Sequence, residues 1–289
     1  MVLLYDRIGE RAETAAREFG GEVCESIDEL LERSEAVSIC TPATHHFETV
    51  MSAFGLGVHV LVEKPLASTS SEGAEMVKAA EKSGCILQVG HIERFNGAFE
   101  AASALVTRPM FIEIHRLGTF SPRGTDVSVV VDLMIHDLDL VLALLAGDEI
   151  SDLRASGARV LTGSLDIVNA RIEFAGGCVA NLTASRVSRE PFRKMRIFQE
   201  NLYVSADLRE RSVEAFAKSH DFDPRDLDAD PTLFIERIDA KVDESEPLMK
   251  EISTFLRSVE KGSKPAVSGN EALNALRVAE TIMEKIGER

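Results

Sequence analysis

The chain has 289 residues, enough for one large or two ordinary domains, with 45% hydrophobic and 28% charged residues in an ordinary globular balance. A net charge of −16 repels nucleic-acid phosphates, no apolar run approaches the roughly 20 residues needed to span a bilayer, and Met1–Asp6 is too short and too soon charged for a signal peptide. Cys24, Cys40, Cys85 and Cys178 lie far apart with no CxxC or zinc spacing, so they read as unpaired thiols of the reducing cytoplasm.

In chain order, Val2–Tyr5 predicts a short strand ending at Asp6. Glu10–Phe19, rich in Ala, Glu and Arg, predicts a helix stopped by Gly20-Gly21. Ile27, Leu30 and Leu31 predict a short helical turn. Ala36–Cys40 predicts a strand that Thr41-Pro42 ends, because proline cannot continue a central ladder. His46–Leu56 (helix), His59–Val62 (strand), Thr69–Lys82 (helix) and Cys85–Val89 (strand) continue the alternation. Strands alternating with helices predict a parallel sheet of right-handed crossovers, and their apolar content suits burial on both faces.

After about residue 92 the pattern changes. Met110–Leu117, Ala155–Leu161, Ile167–Phe174 and Cys178–Ser185 predict longer strands, the last two joined by a hairpin at Ala175-Gly176-Gly177. Val130–Leu145 predicts an apolar helix, Ser219–Pro231 an exposed loop, and Glu246–Glu260 and Asn270–Ile286 two closing helices. The expected fold is therefore α/β: a Rossmann-like parallel-sheet domain over 1–92, then an α+β domain with a mostly antiparallel sheet over 93–265. The last helix, 266–289, is expected to pack back on the first domain.

A parallel domain of this kind opens with a strand, a GxGxxG turn holding a pyrophosphate, and a helix. About 20 residues later an acidic residue ends the second strand and binds the ribose. Asp6 takes that acidic place, either as a ribose ligand or as an ordinary turn residue. The only GxG, Gly55-Leu56-Gly57, follows a helix and precedes a strand, the reverse of the required context. The reading therefore expects one βα unit, roughly 30 residues, ahead of Met1. Without its central strand, two strands would keep unpaired backbone groups. An acid at position 6 repels a 2′-phosphate and favours NAD, while Arg7 beside it keeps NADP as the alternative.

Two constellations carry chemistry. Lys64, in Glu63-Lys64-Pro65, ends a buried strand where ligands of open α/β sheets sit; the alternative is a surface lysine paired with Glu63. Asp132 and His136 stand four apart, on one face of the predicted helix, and a carboxylate beside an imidazole suits a general base. Their alternative role is a hydrogen-bond network joining the domains. Arg94, within Gly90–Asn96 at the domain junction, either holds an anionic group bidentately or braces that junction with Glu93. Thr41, Pro42 and His46 sit at another strand's carboxyl end. His45-His46 lacks the four-residue spacing and partners of a metal site, so no metal is expected.

Together these pieces resemble the glucose–fructose oxidoreductase, inositol dehydrogenase and rhizopine-catabolism family: Asp6 with Arg11-Ala12, Thr41-Pro42 with His46, Glu63-Lys64-Pro65, Gly90 with Arg94-Phe95-Asn96, and Asp132-x-x-x-His136-Asp137, in the family's order. The resemblance implies a dinucleotide-binding domain and a second domain whose open sheet makes homodimer or homotetramer contacts. It implies that Lys64 hydrogen-bonds the reacting oxygen, that His136 takes the hydroxyl proton as hydride leaves for nicotinamide, and that Asp132 orients the substrate or supports that transfer. Thr41, Pro42, His46 and Glu63 would line the cofactor, and Arg94 would lie near its ring or the substrate. GHIERFN and DVSVVVDLMIHDLDL are most similar to members that oxidise the 3-hydroxyl of a UDP-linked N-acetylhexosamine, where Arg94, Arg116, Arg123 and Arg186 are candidates for the diphosphate. The expected activity is oxidation of a secondary hydroxyl of a sugar or nucleotide sugar. The rival readings are a cofactor-free sugar-binding or regulatory protein, and a reductase of another small carbonyl compound.

Overall fold

The computed structural model describes residues 1–121, 127–219 and 234–287. Arg123 and nearly all of the expected loop at Ser219–Pro231 lie outside the described residues. The chain divides into two compact units, Met1–Gly90 with Ile252–Asn270, and His91–Glu251 with Glu271–Arg289.

In the first unit, β1 (Leu3–Leu4) pairs in parallel with β2 (Glu22–Val23), and α1 (Gly9–Phe19) links them. Helix α1 stops where Gly20 turns to φ 80°, a region that glycine enters without steric cost. After α2 (Ile27–Glu32), a separate parallel sheet runs β3 (Ala36–Ile39), β4 (His59–Glu63), β5 (Leu87–Gly90), with α3 (His46–Gly55) and α4 (Ser70–Ser83) as crossovers. Among the described residues β1 and β3 each have a strand partner on one side only, so each keeps an open edge. Helix α4 starts on a reciprocal cap, in which Thr69 takes the Glu72 N–H and Glu72 takes the Thr69 N–H. Val60, Val62 and Val89 of the strands and Met76 of α4 are fully buried, as strands covered on both faces require. A later stretch returns to this sheet: the Val89 N–H donates to the Val267 carbonyl, and Gln88 bridges Ser268.

The second unit holds an eight-stranded sheet. Its strands are β6 (Pro109–Leu117), β7 (Ile150–Ala158), β8 (Ile167–Phe174), β9 (Val179–Ser185), β10 (Phe192–Gln199), β11 (Leu202–Asp207), β12 (Ser212–Lys218) and β13 (Ile235–Ile238). The order is β13-β12-β11-β10-β6-β9-β8-β7, with β6 and β9 parallel and every other pair antiparallel. Ile112 and Ile114 of β6, Leu182 of β9 and Met195 of β10 belong to a core shared with Leu138 and Val141 and with Val278, Ala279 and Ile282 of the last helix, α8 (Gly269–Ile286). Among the described residues no helix is long and apolar enough to cross a membrane.

Several expectations change. Helix α8 gives its apolar stripe to the second unit's core, and the stretch grouped with the first unit is Ile252–Asn270. The strand expected at Ala155–Leu161 ends at Ala158. The reason is local: the Asp166 carboxylate takes the N–H groups of Val160, Leu161 and Thr162, leaving no donors for a ladder. The helix expected over Val130–Leu145 is a π turn, Val130–Met134, followed by α6 (Ile135–Leu144). Strands β10 to β13 and the helix α5 (Gly97–Leu105) were not expected at all.

Candidate active site

The first unit gathers its candidate residues at strand carboxyl ends. Thr41 and Pro42 follow β3 and are exposed, while Glu63 and Lys64 close β4 and are half-buried. His46 ties the two tips together. Its ring is fully buried, with Nε2 2.8 Å from the Thr41 carbonyl and Nδ1 2.9 Å from the Pro65 carbonyl. Both nitrogens are thus committed to backbone, and the ring ties the loop after β3 to the loop after β4. Glu63 sits opposite Gly90 in the ladder, where a Cβ at Gly90 would meet the Glu63 carboxylate at 2.9 Å and its Cα at 3.2 Å. Only glycine lets the two strands close there. Asp6 follows β1, and its Oδ1 accepts the Ile8 N–H at 2.8 Å, which fixes the carboxylate just before α1; Arg7 is exposed.

In the second unit, Asp132 lies within the π turn and His136 in the first turn of α6; both are half-buried. The Ile135 N–H reaches back five residues to the Val130 carbonyl. Such π turns are frequent at functional sites.

Two arginines grip the helix on either side of His136. Arg116 of β6, 3% exposed, donates to both oxygens of Asp137 at 2.7–3.0 Å and to Glu93 at 2.8 Å. Burial works to lower the Arg116 pKa, but the Asp137 and Glu93 carboxylates outweigh it and hold the guanidinium above its ordinary value. Glu93 also accepts from Asn96 and has Arg193 at 3.5 Å. On the other side Arg94 holds Asp139 bidentately, at 2.7 and 3.1 Å, and lies 3.6 Å from Glu271. The Arg94 guanidinium is thus engaged with carboxylates of its own unit. Arg116 is likewise engaged inside the unit, and Arg186 donates to the Val127 carbonyl at 2.6 Å. The sequence reading gave no role to His91 and none to the Asp137 and Asp139 clamps. The signal available was acidic residues at alternate positions in an otherwise apolar helix, which demand buried partners.

The strand-tip residues of the first unit fit the nicotinamide and ribose end of a dinucleotide, which needs exposed backbone and polar groups beyond the carboxyl ends of parallel strands. The described residues include no group of three or more His, Cys, Asp or Glu arranged to hold a metal.

A parallel dinucleotide-type domain followed by an open-sheet domain defines a class of nicotinamide-dependent oxidoreductases, and comparison with known proteins gives the family. The chain belongs to the GFO/IDH/MocA family: residues 1–91 match its "Oxidoreductase family, NAD-binding Rossmann fold" domain and residues 97–203 its C-terminal domain. It is 40% identical over 214 residues to a UDP-N-acetylglucosamine 3-dehydrogenase of Acidithiobacillus ferrooxidans, covering 74% of this chain and 68% of that one. It is 24% identical over 272 residues to a myo-inositol 2-dehydrogenase of Thermotoga maritima, covering 88% and 78%. The solved structure of the A. ferrooxidans enzyme superimposes with a TM-score of 0.89 at 32% identity, over 98% of this chain and 88% of that one. The protein is therefore an NAD-binding oxidoreductase with dehydrogenase relatives.

Proposed function

We propose that this chain oxidises a secondary hydroxyl of a nucleotide sugar, a UDP-linked N-acetylhexosamine in the first instance, with NAD as the preferred acceptor. The observation that carries the reading is the clamped helix: Asp137 and Asp139, one and three residues after His136, are each fixed by an arginine, and a π turn bearing Asp132 precedes them. A general base needs a fixed direction as well as a suitable pKa. The 40% identity to a UDP-N-acetylglucosamine 3-dehydrogenase supports the substrate class.

His136 accepts the proton of the hydroxyl as its carbon becomes a ketone, and Asp132 orients the sugar or supports the imidazolium. Lys64 hydrogen-bonds the reacting oxygen. Thr41, Pro42, Glu63 and Lys64 line the cofactor, whose nicotinamide when bound supplies the hydride acceptor. Asp6 receives the ribose hydroxyls and disfavours a 2′-phosphate, the basis for preferring NAD to NADP. Four free thiols, Cys24 and Cys178 among them buried, support cytoplasmic residence.

Copies of the chain associate as a homodimer or homotetramer through the face of the sheet turned from its core. Phe111, Phe198, Tyr203 and Phe216 stand in register across β6, β10, β11 and β12, with ring centroids 6.0, 5.0 and 6.4 Å apart. Aromatic rows of this kind are enriched at interfaces.

The test is a panel of UDP-N-acetylglucosamine, UDP-N-acetylgalactosamine and free inositols with NAD and with NADP, read as reduced cofactor. His136→Asn is expected to lower turnover by about 10²–10⁴-fold with little change in KM. Unchanged turnover removes His136 from its role, and failure to bind either cofactor refutes the enzyme reading.

A further inference from the structure

We propose that His91 is a positioning residue for His136, holding the imidazole of the base edge-to-face from the turn that also anchors its helix. The inference rests on the reading of His136 as base.

His91 is 1% exposed, and its ring stands at 85° to that of His136 with centroids 6.5 Å apart. Edge-to-face packing at this separation favours one orientation of each ring. His91 immediately precedes the 3₁₀ turn Ile92–Phe95, whose Arg94 N–H donates to the His91 carbonyl. His91 is the residue that caps this turn, three before Arg94. His136 and Asp139 are also three apart, neighbours on one face of α6. His91 meets His136 while Arg94 takes Asp139 at 2.7 and 3.1 Å, so one short segment holds two points of α6.

Asp139 does not serve as a proton relay through His91. Its Oδ2 lies 4.0 Å from the His91 Nδ1, beyond hydrogen-bond length, and both its oxygens are taken by Arg94. The neutralised ion pair is a fixed wall behind the His91 ring.

The test compares His91→Ala, which removes the ring, with His91→Phe, which keeps it. His91→Ala is expected to lower kcat about 10- to 100-fold, as misplacement of a reacting group does, with the sugar KM changed less than about 3-fold; His91→Phe should restore most of the loss. The double variant His91→Ala/His136→Asn should be no slower than His136→Asn alone, because His91 acts only through His136, whereas an independent packing defect would multiply the loss. A readout apart from activity is the His136 ring-proton resonance, assigned by its disappearance in His136→Asn. It should shift and broaden in His91→Ala and stay sharp in His91→Phe. An unchanged His136 resonance in His91→Ala overturns the proposal, as does wild-type kcat in that variant or equal impairment by Ala and Phe. If His136→Asn itself keeps full turnover, the base reading has failed; an inactive His136→Asn beside an unimpaired His91→Ala refutes the positioning role alone.

Discussion

Replacing Arg116 with methionine tests whether the buried charge cluster holds the candidate catalytic helix. The arginine donates three contacts to Asp137, 1% exposed, and one to Glu93, 7% exposed. Without it Asp137 keeps no cation at hydrogen-bond distance among the described residues, and Glu93 keeps Asn96 and an Arg193 contact at 3.5 Å. Removing one partner of a buried pair costs about 3–5 kcal/mol, because the remaining charge stays desolvated. For a folding unit of 150–250 residues each kcal/mol is about 2–4 °C, so the midpoint should fall by roughly 6–20 °C. The loss has a pH signature. An uncompensated buried carboxyl has its folded pKa raised above the unfolded value of about 3.9. A raised group contributes stability below its unfolded pKa and loses it as pH rises through the folded one. The penalty of Arg116→Met should therefore be full at pH 7 and shrink towards pH 4. Arg116→Met/Asp137→Leu should recover part of it. Urea unfolding of the three proteins at both pH values measures this. A penalty under about 1 kcal/mol, or one independent of pH, would refute the account.

Gly90→Ala should destabilise by about 1–3 kcal/mol, the usual cost of overpacking, because the Glu63 backbone cannot move away from the new methyl; equilibrium unfolding checks it. His46→Leu removes the ring that links the Thr41 and Pro65 carbonyls, costing about 1–3 kcal/mol for the N–H bond it donates, and should also weaken NADH binding in a fluorescence titration. Burial alone would raise the Asp166 pKa, but the hydrogen bonds from Thr162, Leu161 and Val160 hold it well below the usual carboxylate range. That stabilisation is present above the unfolded pKa and lost as pH falls through the folded one. The difference in melting temperature between wild type and Asp166→Asn should accordingly be constant near neutrality and diminish in strong acid.

The parallel half was legible in the sequence because each element carries its own signal: a compact apolar strand, an amphipathic helix, a glycine or proline stop. Glu63-Lys64-Pro65 and Asp132-x-x-x-His136 stood out as candidates for a related reason, being charged residues where a buried element needs none. The later strands were not. Phe192–Gln199 alternates Met195 and Ile197 with Lys194, Arg196 and Phe198, so that pairing, rather than composition, makes it a strand.

By itself the sequence determined the order and type of the local elements, the family pattern they spell, and which residues have chemistry to offer, since all of these rest on neighbours along the chain. Only the tertiary structure decided that Arg116 and Arg94 turn inward to clamp Asp137 and Asp139, that His46 spends both ring nitrogens on backbone, and that a π turn sets Asp132 against α6. Each depends on a partner at least five residues away in the sequence and often far more. A buried charge or imidazole takes whichever partner the fold brings to it, and the choice is made by desolvation rather than by spacing.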